Sequence, residues 1–149
     1  MGWSGAHLHG FRIGRTEYGP HLGDGLDDVF YKIHDDSKVK LAKVLPRKGT
    51  GLVYIYDMGD SWHHEVRLER LLPREPRTHY PRCVAGARAC PPEDCGGTGG
   101  YEDLLAAIRD SRHRRHKELV DWLKRCGYGA FDPEAFDLPR INARLRRIR

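Results

Sequence analysis

A chain of 149 residues with 39% hydrophobic and 32% charged content has the size and composition of one folded domain that needs no disulfides to build a core. No apolar run approaches the ~18 residues of a membrane-spanning helix. The start, Met1-Gly2-Trp3-Ser4-Gly5-Ala6, lacks the basic and apolar regions of a secretion signal and the Ser or Thr of a myristoylation site, so the cytoplasm is the expected compartment.

Lys and Arg number 26 against 21 Asp and Glu, a formal charge of +5, and the basic residues crowd into the last third from Arg109 to Arg149. A cationic face of this kind attracts nucleic acid without sequence preference, and it equally suits a solvated helix surface.

In chain order, His7, His9, Phe11 and Ile13 alternate with Leu8, Gly10 and Arg12, the period of two that marks a strand. Tyr18-Gly19-Pro20 through Gly25 reads as a loop by turn chemistry. Val29 to Ile33 reads as a short strand, and Lys40 to Leu45 fits a helical turn or a strand.

Leu52 to Met58 and Trp62 to Leu68 alternate clearly around Asp57-Met58-Gly59-Asp60-Ser61, which predicts a β-hairpin. On its second arm Trp62, His64, Val66 and Leu68 share a face, and His63, Glu65, Arg67 and Glu69 share the charged one. His64 is therefore expected to point inward.

Residues 73–100 hold five of the nine prolines and a run of glycines, so irregular structure is expected there. Helices follow. Tyr101, Leu104, Leu105 and Ile108 form one apolar stripe. A second helix is expected from about Arg112 to Arg125, ending at Gly127. Asp132-Pro133 supplies a cap and a proline for a third, with Phe131 and Phe136 as a hydrophobic staple. Leu138, Ile141, Leu145 and Ile148 line the apolar face of that last helix. Strands first and helices last predict an α+β fold, an antiparallel sheet or partial barrel from the N-terminal half packed by C-terminal helices.

Three thiols, Cys83, Cys90 and Cys95, fall within thirteen residues of this Pro-rich loop. A reducing cytosol disfavours a disulfide, and zinc takes four Cys or His ligands, so a structural zinc is one reading, with His64 or His9 as the fourth ligand. The spacing is not that of paired CxxC knuckles. The alternative is a pair of satisfied core histidines with merely sequestered thiols. Cys126 ends a helix and reads as a buried thiol.

Asp57, Asp60 and His64 at the hairpin, joined by His7 and His9, suggest a metal-dependent hydrolase as a second possibility. Asp and Gly are also what such a turn requires for its own sake. No Gly-x-Ser-x-Gly elbow, phosphate-cradling loop or HExxH helix is present, which weighs against an enzyme.

The stretches Tyr54-Ile-Tyr-Asp-Met-Gly-Asp-Ser-Trp-His-His-Glu, Tyr80-Pro-Arg-Cys, Cys90-Pro-Pro-Glu-Asp-Cys-Gly-Gly, Gly100-Tyr-Glu-Asp-Leu and Phe131-Asp-Pro-Glu-Ala-Phe-Asp resemble the plasmid pRiA4b ORF-3-like family. Gly2-Trp3 and His7-Leu-His-Gly-Phe11 match it as well. The resemblance spans nearly the whole chain and implies a protein carried on plasmids, mobile elements and bacterial chromosomes. Some such proteins bear a transposon-resolvase label, but no recombinase constellation stands in this sequence.

The family motifs fall on His7, His9, Asp57, Gly59, Asp60, Trp62, His64, Cys83, Cys90 and Cys95, and they exclude His63 and Cys126. The resemblance also implies a strand and a helix ahead of Gly2-Trp3. Their lack would expose a sheet edge and predicts self-association. The expected role is a binding module whose partner is nucleic acid or another protein, without a membrane.

Overall fold

The computed structural model describes residues 2–20 and 33–148. The chain divides into two compact units, one of Gly5–Leu72 and one of Met1–Ser4 with Pro73–Arg149. The fold is α+β. Among the described residues no helix is long and apolar enough to cross a membrane.

Gly5–Leu72 contains an open, mixed sheet of five strands: β1 (His9–Ile13), β2 (Thr16–Gly19), β3 (Ile33–Asp35), β4 (Gly51–Tyr56) and β5 (Trp62–Arg67). Their order is β3-β2-β1-β4-β5. The sheet is not purely antiparallel, because β3 runs parallel to β2, and the order does not close into a barrel.

The strand β2 replaces the beginning of the expected loop. Gly14 and Arg15 form a two-residue turn between Ile13 and its partner Thr16, with Gly14 at φ 60° as a tight hairpin requires. Tyr18 then pairs with Phe11, so the ladder holds a segment whose Gly-Pro ending reads as a turn. β1 starts at His9 rather than His7. The expected strand at Val29 to Ile33 lies outside the described residues up to position 32, and β3 occupies Ile33–Asp35. A 3₁₀ turn at Asp36–Lys38 follows, capped by the Asp35 carboxylate, which accepts from the Ser37 amide at 3.0 Å. Of the two options at 40–45, the chain takes the helical one, α1 (Leu41–Val44).

The β4–β5 hairpin forms as its alternation predicts, with Tyr54 opposite His64 and Tyr56 opposite Trp62. Register makes one sheet face aromatic: His9, Phe11, Tyr54, Tyr56, Trp62 and His64 lie on it. Leu52 and Tyr56 are buried there, each contributing roughly 2 kcal/mol through the apolar area removed from water.

The other unit contains α2 (Gly97–Arg109), α3 (His116–Arg125) and α4 (Leu138–Leu145). Leu104, Ala107 and Leu123 are buried. His113 and His116 each close a turn on a preceding carbonyl, so residues 112–115 are turns and α3 begins at His116. Arg115 joins the helices by donating to Asp103 and Glu118, both at 2.6 Å. α3 ends as expected at Gly127 (φ 80°), where the Tyr128 amide reaches back to the Leu123 carbonyl at 2.9 Å. Cys126, expected to be buried, is exposed, because it caps the helix beyond its last buried residue, Leu123.

The last helix starts later than Asp132-Pro133 predicts. Asp132 caps only a turn, accepting from the Glu134 amide, and Asp137 is the true cap, accepting from the Arg140 amide at 2.9 Å. Both aspartates precede a proline by one or two residues, and the second one stands directly before the apolar stripe.

Candidate functional site

The Pro-rich segment separates its three thiols. Cys83 is held by Asn142 of α4, whose Oδ1 accepts from the Cys83 amide at 2.8 Å while Nδ2 donates to the Cys83 carbonyl at 3.0 Å. Its thiol donates to the Ala85 carbonyl at 3.2 Å. Cys90 lies under Gly2, where an added Cβ would come within 3.2 Å of its own Cβ. Burial pushes the Cys90 thiol up from its ordinary pKa, against a smaller opposing pull from the amides of Gly2 and Trp3.

Trp3 is fastened beside it by an indole N–H donated to the Pro91 carbonyl at 2.8 Å. Cys95 sits just before α2. Burial raises the Tyr101 phenol's pKa most, Arg88 opposes it, and the Cys95 and Cys90 thiols add smaller upward pushes. Cys83 lies with α4, and among the described residues the three sulfurs form no group that could hold a metal ion.

In the sheet unit, His9 and His64 occupy the aromatic face as the alternation predicts, but each has its own engagement. His9 Nε2 lies 2.9 Å from Asp36 Oδ2. His64 Nδ1 approaches the Tyr54 carbonyl at 3.3 Å, with its ring 5.5 Å from that of Tyr54. Trp62 is half-buried opposite Tyr56.

Asp57 is the one buried charged side chain among the described residues, 8% exposed. Its backbone is left-handed (φ 58°), a conformation that Asp tolerates. Its Oδ1 accepts from the Gly59 amide at 2.9 Å and the Asp60 amide at 3.3 Å, so this carboxylate builds the hairpin turn. Its Oδ2 faces His7 Nδ1 at 3.7 Å, and His7 also packs edge-on against Tyr56. The imidazole nearest Asp57 within this unit is therefore His7. Asp57, Asp60 and His64 do not form a three-ligand group.

A different surface collects basic and polar groups. Residues 77–84 and α4 enclose a cleft of about 600 Å³, lined by Arg77, Thr78, His79, Arg82, Asn142 and Arg146 with apolar contacts from Pro81, Val84 and Leu138. Among the described residues Arg77 and Arg146 have no carboxylate partner, and Arg82 has only a loose one, Glu75 at 3.7 Å. Beside the cleft, the Arg74 guanidinium lies 5.9 Å from the centre of the exposed Tyr80 ring.

Residues 73–149 carry 16 Lys or Arg and 11 Asp or Glu, the entire +5 excess, while residues 1–72 carry ten of each sign. Sequence reasoning found the basic C-terminal third but missed Arg77 and Arg82. They stand alone among prolines, and only the Asn142 clamp brings them to α4.

Comparison with known proteins agrees with the motif resemblance. The sequence matches the model of the family described as Plasmid pRiA4b ORF-3-like protein over residues 1–140. It is 33% identical over 146 residues to Uncharacterized protein y4hQ of Sinorhizobium fredii, covering 95% of this chain and 70% of that one. The crystal structure of Protein of Unknown Function MM3350 from Methanosarcina mazei Go1 superposes with a TM-score of 0.76 at 37% identity. That match covers 93% of this chain and 75% of the other. On the strength of a match that spans nearly every residue, the chain belongs to the plasmid pRiA4b ORF-3-like family.

Proposed function

We propose that this protein is a nucleic-acid-binding module that grips a single strand through the arginine cleft between residues 77–84 and α4. One observation carries the reading: Arg77, Arg82 and Arg146 converge on one cleft of about 600 Å³ with little carboxylate to neutralise them. Guanidinium groups bind phosphate oxygens in pairs of parallel hydrogen bonds. Thr78 and His79 add hydrogen-bonding groups suited to sugar and base edges, and the exposed Tyr80 ring offers a stacking platform.

Fluorescence anisotropy with a short labelled oligothymidylate tests this. Three phosphate contacts give a logarithmic salt slope of about −2, so affinity should fall roughly 20-fold between about 50 and 200 mM salt. Arg146→Ala should flatten the slope to about −1.4 and the fall to roughly 7-fold. Absence of binding by the wild type at low salt, or an unchanged slope in the variant, refutes the proposal.

A further inference from the structure

The sheet unit contains a second cavity, unrelated to the arginine cleft, of about 300 Å³. Its walls are Phe11 and Ile13 of β1, Tyr18 of β2, Leu52 of β4, and Val39, Leu41 and Val44 from the segment around α1. Two polar side chains interrupt this lining, His9 and Asp36, bonded to each other at 2.9 Å. They come from β1 and from the 3₁₀ turn, 27 residues apart in sequence. The Asp36 side chain is 20% exposed, the His9 side chain 38% and Leu41 59%, so the carboxylate is the more sheltered partner while part of the apolar wall stands open to solvent.

The chemistry of that pair selects a ligand. A carboxylate has only acceptor oxygens. Asp36 Oδ2 faces His9 Nε2, and among the described residues Oδ1 has no partner. The unused oxygen of the pair is thus an acceptor on a carboxylate. A ligand anion would meet repulsion there, and a neutral hydrocarbon would displace water from the carboxylate without replacing its hydrogen bonds, a costly outcome. A ligand that brings N–H donors with positive charge satisfies it. Phe11 and Tyr18 in the lining are aromatic and tolerate the same sign.

We propose that this cavity is a binding site for a small hydrophobic amine, with its ammonium group on Asp36 and its apolar body between Phe11, Val44 and Leu41. The volume fits a single ring with a one- or two-carbon arm, at the small end of ligand pockets.

The test uses the full chain and benzylamine as probe, followed by amide-resolved NMR titration, with benzyl alcohol and benzoate as matched neutral and anionic controls. Benzylamine should move the amide signals of Phe11, Tyr18, Leu41 and Val44, and should bind at least about tenfold more tightly than benzyl alcohol. That factor is what one charge-assisted hydrogen bond contributes. Benzoate should leave the signals in place.

Asp36→Asn should erase the preference for the amine while retaining the spectrum of a folded sheet. Val44→Trp, which fills the cavity from α1, should abolish binding of both amine and alcohol. Equal binding of benzylamine and benzoate overturns the proposal. So does undiminished amine binding in either variant, or a response confined to residues outside this cavity.

Discussion

Two adjacent glycines at the start of α2 should respond to the same substitution with opposite signs. Gly99 is exposed and has nothing within 4 Å of an added Cβ, so Gly99→Ala gains the helix propensity of alanine, about 0.5–1 kcal/mol. Gly100 is one residue further along the helix. An added Cβ there would overlap the carbonyl oxygen of Cys95, with the carbonyl carbon only 2.8 Å away. The obstacle is backbone, pinned where Gly96 and Gly97 turn the chain in the left-handed region and where the Gly100 amide donates to the Gly96 carbonyl at 3.0 Å.

Overpacking of this kind costs about 1–3 kcal/mol or more, which exceeds the propensity gain. Gly100→Ala should therefore be destabilised by a net ~2 kcal/mol. The two variants then differ by about 3 kcal/mol, or roughly 6–12 °C in melting temperature for a chain of this length. Thermal unfolding by circular dichroism measures this directly. A Gly100→Ala variant as stable as wild type would show that the Cys95 carbonyl does not lie folded back against α2.

Two further predictions concern protons. The Cys90 thiol has a raised pKa in the folded state, so folding holds its proton more tightly. That contribution is complete below about pH 9 and is lost as pH rises through the folded value, with half-buried Tyr101 and the more exposed Tyr128 adding the same trend higher up. Urea midpoints should fall between about pH 8 and pH 10, and Cys90→Ala should reduce the slope without removing it; a midpoint that rises over this range contradicts the burial of these groups. Asp35 moves the other way. Hydrogen bonds from Lys38 first and Ser37 second hold its carboxyl at about 2, so its stabilising effect is present above the ordinary value of 3.8 and disappears as pH falls toward 2. A carboxyl-detected NMR titration should return Asp35 toward the ordinary value in Lys38→Met, and an unmoved midpoint would reject the pairing.

Local pattern exposed much of this fold. The β4–β5 hairpin was legible because Tyr54, Tyr56, Trp62 and His64 alternate around an Asp-Gly turn, and the end of α3 because Gly127 follows the last apolar position. β2 was hidden because Gly19-Pro20 carries turn chemistry, while the ladder to Phe11 that holds Tyr18 is a pairing no short window contains. The start of α4 was misplaced because Asp132-Pro133 carries the familiar cap signal, whereas Asp137, with its proline two residues on, is the cap the helix uses.

The site residues divide in the same way. Alternation placed His9 and His64 on the aromatic face, but it carried no information about Asp36, the residue that holds His9. Crowding of Cys83, Cys90 and Cys95 in sequence suggested proximity. Cys83 is tied to Asn142 of α4 and Cys90 lies under Gly2, contacts that the spacing of the thiols does not contain.

The clamp between Asn142 and the Cys83 backbone spans 59 residues and has a bearing on biosynthesis. An emerging polypeptide can assemble the sheet as soon as β5 is available, but the arginine-bearing segment stays without its fastening until residue 142 has left the ribosome. The walls of the cleft therefore cannot be fastened to one another until synthesis of the chain is nearly complete.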